Sequence, residues 1–438
     1  MIDWAAVDAR LRPLAAQAAP ARLLSLDVAL PALPQPNLAA ADDWCAWQRP
    51  AQELRLWGFG AAFHVTSAGA GRFCALDAAW RGLCAHWRHD GVAPRAFLGF
   101  AFAPAGGEPL PNARLWVPEL LLCAEQGKTR LTLATPAAAA ATAPRRWQAA
   151  WRRLFAPAAV PPAPTFRIKR HRLAEEAFLA RGRAALAAIA TGRLSKLVLT
   201  RSLALELAAP LEPAALIATL AAQQPGCAIY GIGRGPASFI GASPETLLAA
   251  DGESICVDAL AGTAWPEAAR ALDDEKNRRE HECVATAIRA ALEGLASGIA
   301  MPAAPEVMSL AGLTHLRRRI TAKRRPAVSL FDLVARLFPT PAIGGAPTPA
   351  ALAWLAAHGE ERSAWYTGGL GWLDAAGDGD IAIALRCGLF AGNAATLHAG
   401  AGFVAGSVPE QELAETEAKL ATLLEALAAL RRRQEAAA

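Results

Sequence analysis

Two helical segments carry polar and charged side chains on one face, and side chains of this kind can bind a metal ion or a charged ligand. Glu412, Glu415 and Lys419 are spaced three and four residues apart, so they share one face of a helix. A second helical segment carries Asn277 and Glu280 on a side that continues into apolar residues. For an arbitrary helix, a solvated charged face is the commoner explanation of such spacing.

Two glutamates from two helices, if they met over a pocket, would form an incomplete shell of oxygen ligands. Mg²⁺ accepts such a shell because it keeps water or substrate oxygens as its other ligands. The small apolar residues at 399–404, AGAGFV, precede the C-terminal acidic helix, and such a segment lets backbone approach a ligand closely. Spacing alone leaves both a Mg²⁺ site and a solvated charged face open.

A lysine on a predicted strand and a glutamate in a tight turn lie outside these helices. Residues 195–207 alternate in the manner of a strand, so Lys196 shares a face with Val198. Glu245 lies in a tight Ser-Pro-Glu segment between two predicted strands. Taken alone, the lysine could extend its amine to solvent from an edge strand, and the glutamate could be a solvated turn carboxylate.

The elements that would position these residues indicate a mixed α/β protein. The predicted helices are residues 174–190, 272–296 and 409–433. The predicted strand regions are residues 53–64, 95–102, 195–207, 227–232, 238–242 and a short strand through 248. We therefore expect sheets with helices packed against them.

The proline-rich segment 155–164 predicts a boundary near Pro164, because its four prolines forbid regular structure. Residues 1–164 would then form an N-terminal part of sheet plus helices that ends in a linker. Residues 165–438 would form the catalytic part, which contains all the candidate residues. The length of 438 residues suits about three average domains, but large α/β sheets often exceed that size as one unit.

Composition excludes several classes of protein. With 54% hydrophobic and 19% charged residues, the chain is not disordered. A net charge of +5 gives no whole-chain reason to expect nucleic-acid or membrane-surface binding. Every apolar run is interrupted well short of the ~18 residues that span a bilayer, and the N-terminus lacks the pattern of a signal peptide.

Cysteine usage favours a reducing compartment. The eight cysteines lie at least ten residues apart and form no C-x-x-C pair, so neither a disulfide framework nor a zinc knuckle is indicated. We expect a soluble cytoplasmic enzyme or binding protein.

Two local patterns have ordinary structural explanations. Gly231, Gly233 and Gly235 form a G-x-G-x-G run, but a strand rather than a helix follows it, so a glycine-rich hairpin is favoured over a nucleotide site. Residues 317–325 are strongly basic but lack interleaved aromatic residues, which favours a solvated surface over RNA binding.

Seven motifs occur in the order found in chorismate-utilising enzymes, which the chain resembles. They are SKLVLTR at 195–201, SPE at 243–245, LAGT at 260–263, KNRREH at 276–281, PTPA at 339–342, WYTG at 365–368 and AGAG at 399–402. The resemblance covers about residues 166–430, and more loosely the N-terminal part. It implies an anthranilate-synthase component I-like α/β fold, with large antiparallel-rich β-sheets packed between helices.

The resemblance also implies a reaction and the residues that perform it. Family members add a nucleophile at C2 of chorismate while the C4 hydroxyl leaves. Lys196 matches the base that activates water, and Glu245 matches the acid that protonates the departing hydroxyl. For those roles the lysine must be partly neutral and the glutamate transiently protonated, so desolvation must move both pKa values from those in solution.

Binding residues follow from the same resemblance. Glu280 and Glu415 match Mg²⁺ ligands, with Glu412 behind them, and the metal would take the ring carboxylate of chorismate. Asn277 departs from the acidic residue that most members have, which would weaken support of the metal. The residues matched to the second carboxylate and to the rest of the pocket are Arg386, Tyr366, Lys419, Gly400, Gly262, Thr263 and His315.

Among these enzymes, the menaquinone-type isochorismate synthases are the most similar. Anthranilate synthases have glutamine in place of Lys196 and take ammonia from an amidotransferase, so we expect no such partner here. The PTPA motif disfavours a salicylate synthase, which would also release pyruvate, but that alternative stays open. A silent chorismate-binding protein is a further alternative. Isochorismate serves both menaquinone and siderophore biosynthesis, and we expect a monomer that binds neither nucleic acid nor membrane.

Overall fold

Helices cover the outer surfaces of the fold. The computed structural model describes residues 2–92, 94–157, 165–169, 172–265, 272, 274–310 and 312–435. Within these ranges the α-helices are α1 Trp4–Ala16, α2 Arg72–Cys84, α3 Ala143–Leu154, α4 Arg172–Ala190, α5 Pro213–Gln223, α6 Glu275–Leu292, α7 Leu330–Leu337, α8 Thr348–Ala357 and α9 Pro409–Glu435. Of the helices described, none is long and apolar enough to cross a membrane.

Strands fill the space between the helices. In the N-terminal part they are β1 Leu23–Leu30, β2 Asp43–Arg49, β3 Leu54–Phe59, β4 Phe63–Ser67, β5 Arg88–Asp90, β6 Arg95–Phe100, β7 Ala113–Val117, β8 Leu120–Glu125 and β9 Lys128–Pro136. Those that follow are β10 Phe166–Lys169, β11 Lys196–Leu207, β12 Ala228–Arg234, β13 Ala237–Ser243, β14 Thr246–Asp251, β15 Ser254–Ala264, β16 Ala296–Ala300, β17 Glu306–Leu310, β18 Leu313–Arg324, β19 Gly345–Ala346, β20 Gly369–Asp374, β21 Gly379–Ile383, β22 Cys387–Ala391 and β23 Ala394–Val404.

Hydrogen bonds join these strands into two sheets. The larger sheet has the order β10-β11-β23-β22-β13-β12-β2-β3-β8-β9-β1-β5, with β19 beside β11. The smaller has the order β16-β18-β15-β14-β21-β20-β6-β7-β4, with β17 beside β18. Among the described strands every pairing is antiparallel except that of β1 with β5. The expectation of a mixed α/β fold with antiparallel-rich sheets is confirmed.

Alternating side chains of the strands build a core on each face of a sheet. In β2, Trp44 and Ala46 pack toward the helices outside the larger sheet, whereas Cys45 and Trp47 belong to a core shared with Phe97 of β6. The two sheets therefore pack face to face through every second residue. Helices α5 and α9 cover the larger sheet, and α2, α6 and α7 cover the smaller.

Both sheets contain strands from either side of the predicted boundary. The larger sheet joins β2 to β12, and the smaller joins β6 to β20. Residues 158–164, on which the boundary was placed, lie outside the described residues. The division at that point therefore stays a prediction, while the sheets connect both parts into one α/β unit.

Most predicted elements match the structure, but the strand region 53–64 divides between β3 and β4, which lie in different sheets, and one helix is too long. The predicted helices 174–190 and 409–433 correspond to α4 and α9, and the glycine-rich run forms the β12–β13 hairpin with Gly235 in its turn at φ 56°. The predicted helix 272–296 is longer than the observed helix α6, which ends at Leu292. Gly294 follows this end with φ 86°. A left-handed glycine ends a helix, and β16 starts two residues later.

The basic segment 317–325 lies mostly in β18 and is only partly a solvated surface. Arg318 is buried and donates a hydrogen bond to Glu282. Arg317 pairs with Glu306. The expectation was wrong for Arg318, because one face of this strand packs against α6.

Candidate active site

The glycine-rich strand β23 leaves room above the strand that carries Lys196. The antiparallel register sets Val198 opposite Gly402 and Thr200 opposite Gly400. A Cβ atom on Gly402 would lie 2.5 Å from Glu280 Oε1 and 3.0 Å from Lys196 Cε. Glycine at 402 is therefore required for the lysine and the glutamate to meet over this strand.

Lys196 and Glu280 form a buried ion pair on the floor of this space. Lys196 is 1% exposed, and its Nζ lies 2.9 Å from Glu280 Oε1 on α6. Burial acts to raise the pKa of Glu280, but the charge and hydrogen bond of Lys196, with the charges of Lys276 and Lys419, lower that pKa below its usual value. Glu280 is thus held as a carboxylate.

Glu245 lies where the chain crosses from β13 of the larger sheet to β14 of the smaller one. It is 3% exposed, and its Oε1 has no hydrogen-bond partner within the described part of the chain. Burial, and after it the charge of Asp258, raise the pKa of Glu245 to about 8, although Lys196 and Lys419 act to lower it. This carboxyl is therefore largely protonated at neutral pH.

Helix α9 contributes Glu415 and Lys419 to the same space. Their side chains pair at 2.6 Å, and Lys419 Nζ donates to the carbonyl of Gly400 at 2.8 Å. Glu412, one turn earlier, pairs with Lys276 of α6 at 2.7 Å. The last pair ties the two acidic helices together.

Glu412 differs from the other two helix carboxylates because it lies behind the cavity. It is 2% exposed, and burial followed by the charge of Glu415 raises its pKa to about 7, while Lys276 acts to lower it. Its position agrees with a supporting role.

A chain of hydrogen bonds crosses the cavity from Arg386 to Glu415. Arg386 donates to His315 Nε2 at 2.9 Å, and His315 Nδ1 lies 3.1 Å from Thr263 Oγ1, which donates to Glu415 Oε1 at 3.2 Å. Because a guanidinium can only donate, His315 Nε2 must accept and its Nδ1 must carry the proton. Burial and the charge of Arg386 lower the pKa of His315 well below its usual value, so the ring stays neutral.

Asn277 supports this chain from α6. Its Oδ1 accepts a hydrogen bond from the backbone N–H of Thr263 at 3.2 Å. The preceding Gly262 has φ 81°, and a Cβ there would lie 3.3 Å from the carbonyl of Asn277. The LAGT motif is thus shaped by close approach to α6.

One cavity of about 710 Å³, including its mouth, collects eleven of the twelve predicted site residues. They are Lys196, Glu245, Gly262, Thr263, Glu280, His315, Tyr366, Arg386, Gly400, Glu415 and Lys419. The structure brings them together although they come from both sheets and from two helices. Their individual roles stay predictions.

Residues 26–428 match the model of a family described as "Chorismate binding enzyme". The chain belongs to this family. It is 34% identical over 405 residues to the "Salicylate biosynthesis isochorismate synthase" of Pseudomonas aeruginosa, with 88% of this chain and 84% of that protein covered.

Solved structures of the family share the fold. MenF, the menaquinone-specific isochorismate synthase from Escherichia coli, has a TM-score of 0.79 and 26% identity, with 97% of this chain and 100% of that chain covered. Anthranilate synthase component I from Streptococcus pneumoniae has a TM-score of 0.60 and 20% identity, with 82% and 80% covered, which shows the shared fold alone.

Within this chorismate-binding fold, sequence reasoning missed two polar residues that line the cavity. His398 stacks on Tyr366 with ring centroids 5.0 Å apart, and burial lowers its pKa to about 4. Thr367 lies beside them at φ 56°. His398 directly precedes the AGAG motif and Thr367 lies within WYTG, so closer attention to the motifs could have found both.

A buried ionic cluster outside the cavity was also missed. One edge of β11 pairs with β19 at its start and with β10 at its end. Between these two strands, side chains form the hydrogen bonds to its backbone. Thr200 N donates to Glu360 Oε1 at 2.7 Å, and Arg362 donates to the carbonyl of Val198 at 3.0 Å and to Thr367 Oγ1 at 2.8 Å. These residues hold the lysine strand against the cavity wall.

Proposed function

We propose that the chain is an isochorismate synthase, which converts chorismate to isochorismate by adding water at C2 while the C4 hydroxyl leaves. The observation that carries this proposal is that one cavity holds the buried amine of Lys196 and the protonated carboxyl of Glu245. Addition of water requires a base, and loss of hydroxyl requires an acid. The names of the Pseudomonas aeruginosa and Escherichia coli relatives support the same reaction.

Proton transfer in this proposal uses those two residues in turn. Lys196 removes a proton from water as the water oxygen bonds to C2, and the ring double bonds shift as the C4–O bond breaks. Glu245 gives its proton to the departing hydroxyl, which leaves as water. Because Lys196 Nζ lies 2.9 Å from Glu280 in the structure, the lysine must leave that pair before it can take a proton from water.

The cationic side of the cavity suits the carboxylates of chorismate. Arg386 is 6% exposed, and its second terminal nitrogen, NH1, has no hydrogen-bond partner among the described residues. A buried guanidinium nitrogen without a partner is costly unless a ligand satisfies it. We propose that Arg386 and Lys419 bind one carboxylate beside Tyr366 and the Gly400 backbone.

We propose that Glu280 and Glu415 hold Mg²⁺, and the donor set fits that ion. Both carboxylates line the cavity, and the absence of a side chain at Gly402 leaves room for Glu280 Oε1 over β23. Among the described residues no three Asp, Glu, His or Cys side chains group as ligands of one ion, so substrate and water would complete the shell, as Mg²⁺ prefers. When bound, the ion would supply positive charge to the ring carboxylate of chorismate.

Glu412 would support this site without ligating the metal. Its pair with Lys276 fixes α9 against α6, which sets the separation of the two helices that carry the ligands. Asn277 uses its side-chain oxygen to hold Thr263 and thereby orients the hydroxyl that donates to Glu415.

Product analysis tests the proposal. The protein is incubated with chorismate and Mg²⁺, and products are separated by chromatography and weighed by mass spectrometry. An isomer of unchanged mass is the expected result. Salicylate with pyruvate would instead identify a salicylate synthase, and the absence of turnover would leave a chorismate-binding protein, so either result overturns the proposal.

The setting of the enzyme follows from the same proposal. Because water is the nucleophile, we propose that the enzyme acts without an amidotransferase subunit. We also propose that it is a monomer and that it acts in the cytoplasm. Its named relatives serve salicylate biosynthesis and menaquinone-specific synthesis, so the proposal covers the reaction common to both, and neighbouring genes would assign the pathway. Size-exclusion chromatography with light scattering should give about 46 kDa; a dimer mass would contradict the monomer.

A further inference from the structure

A second cavity adjoins the catalytic one on the opposite side of residues 244–246. Pro244 lines both cavities, Glu245 lines the catalytic one, and Thr246 lines the second. Strand β15 also contributes to both cavities. Its Leu260 lines the catalytic cavity, and its Asp258 lines the second cavity. Residues two apart on a strand share a face, so Asp258 lies beside the catalytic cavity but outside it.

Asp258 is a buried acidic residue that is held by one hydrogen bond and one long ion pair. It is 2% exposed; its Oδ2 accepts a hydrogen bond from the backbone N–H of Thr246 at 3.2 Å, and its Oδ1 has no hydrogen-bond partner in the described ranges. Arg319, whose side chain is 56% exposed, lies 3.7 Å from Asp258 Oδ1, and Arg49 interacts with Asp258 by charge. A long pair to an exposed arginine is weakened by solvent.

Asp380, which lines the same cavity, has a cationic partner for both of its carboxylate oxygens. Arg49 donates to its two carboxylate oxygens at 2.7 and 2.6 Å, and also to Thr246 Oγ1 at 3.0 Å. That two-pronged pair neutralises Asp380. Asp258 has no equivalent partner, although its hydrogen bond reaches the residue next to Glu245.

The charged groups that act on Glu245 come from three elements. Asp258 on β15 disfavours a second negative charge there, while Lys196 on β11 and Lys419 on α9 favour it. Arg49 on β2 is engaged by Asp380. Burial makes the largest contribution to the raised pKa of Glu245, and Asp258 makes the next largest.

Resting on the function proposed above, we propose that Asp258 is a positioning residue for Glu245, acting through its charge across Thr246 and not by contact with substrate. Glu245 must enter each turnover with a proton, which it gives to the leaving hydroxyl. A fixed negative charge behind the carboxyl favours the form that carries this proton. The second cavity would thereby contribute to catalysis from outside the substrate site.

The substitution Asp258→Asn tests the charge with little change of shape, because the amide oxygen can still accept from Thr246 N–H. The measurement is kcat/KM for chorismate against pH. Loss of the charge should move the alkaline limb to lower pH, so that activity at pH 9 falls about tenfold while activity at pH 6.5 changes little. A uniform loss at all pH values, or an unmoved limb, would overturn the proposal.

Asp378→Asn is the matched control. Asp378 is a half-buried carboxylate that lines the same cavity and accepts from Gly252 N–H at 2.6 Å. Within the described residues Asp378 makes no hydrogen bond to residues 244–246, so its replacement should leave the alkaline limb where it is. A shift equal to that of Asp258→Asn would show a general effect of charge in the cavity and contradict a specific role for Asp258.

Infrared titration of Glu245 itself does not depend on which reaction the protein performs. The carboxylic C=O band assigned to Glu245 is the one that disappears in Glu245→Gln. In Asp258→Asn this band should vanish at lower pH than in the natural chain. An unchanged titration would overturn the inference even if isochorismate is formed, whereas a shifted titration without turnover would overturn only the proposed function.

Discussion

Glu280 and Glu245 are buried carboxylates in one cavity, yet their surroundings place them in opposite protonation states. Lys196 lies 2.9 Å from Glu280 and, against the effect of burial, helps to lower its pKa. Glu245 has one oxygen with no hydrogen-bond partner in the described chain, and its pKa is raised to about 8. One suits a cation and the other suits an acid.

The difference comes from the elements that carry the two residues. Helix α6 suspends Glu280 over the lysine strand, and Gly402 lets the two side chains meet. Glu245 lies in the short crossing between sheets, with Asp258 behind it. The same type of side chain is thus suited to the proposed metal binding or to the proposed proton donation according to its nearest charges and its burial.

Replacing Lys196 removes the base and the partner of Glu280 together, so it should have the largest effect. Lys196→Gln is expected to lower kcat/KM for isochorismate formation by about 10²–10⁴-fold. Steady-state kinetics with chorismate measures this. Lys169→Gln, on β10 where the side chain is 47% exposed, is the control and should retain activity. Water addition at an undiminished rate in Lys196→Gln would refute the base assignment.

Replacing Glu415 tests the metal side of the comparison. Glu415→Gln should raise the Mg²⁺ concentration required for half-maximal activity by about 10–100-fold, because a carboxylate ligand becomes a neutral amide. Glu425→Gln places the same change at an exposed position of the same helix and should leave the Mg²⁺ titration unaltered. If both variants titrate like the natural chain, Glu415 is not a ligand.

Adding one methyl group at Gly402 should displace Glu280, the proposed metal ligand, and should leave Glu245, the proposed acid, in place. In Gly402→Ala the new Cβ would lie 2.5 Å from Glu280 Oε1, so the carboxylate must move. A displacement of this kind is expected to lower kcat by about tenfold to 100-fold. Gly82→Ala on α2, where a Cβ meets nothing within 4 Å, is the control. Unchanged kinetics in Gly402→Ala would show that the Lys196–Glu280 pair is dispensable.

The last prediction concerns stability and tests whether Glu245 is protonated in the folded chain. The pKa of Glu245 is higher in the folded chain than in the unfolded chain, so the unfolded chain loses this proton first as the pH rises. The contribution of Glu245 to the free energy of unfolding therefore falls between about pH 4.5 and pH 8. Glu245→Gln lacks this penalty. Its unfolding free energy relative to the natural chain should therefore increase by about 1–4 kcal/mol between pH 5 and pH 8.5. Chemical denaturation at both pH values measures it, and a pH-independent difference would contradict a protonated Glu245.

Local sequence patterns predicted much of the scaffold around the site. The alternation of residues 195–207 identified β11 to within one residue, and the family resemblance, rather than local pattern, assigned the eleven residues that share one cavity. The end of α6 was misplaced because Gly294 was not recognised as a helix terminator. Such local errors arise where one residue outweighs the periodicity around it.

Long-range contacts could not be predicted in the same way. Arg362 binds the carbonyl of Val198 from 164 residues away, and no local pattern marks either partner. The pairing of Lys196 with Glu280 depends on how α6 packs on β15, which the sequence does not express. Likewise, Asp258 reads as an ordinary strand residue until the sheet crossing at Thr246 is known.

We propose above all that water adds at C2 of chorismate as the C4 hydroxyl leaves. This proposal is tested by incubation with chorismate and Mg²⁺ in water enriched in ¹⁸O, followed by mass spectrometry at early times. The product should be isochorismate that carries one ¹⁸O atom at C2. Isochorismate without the label, or no isochorismate at all, would contradict it.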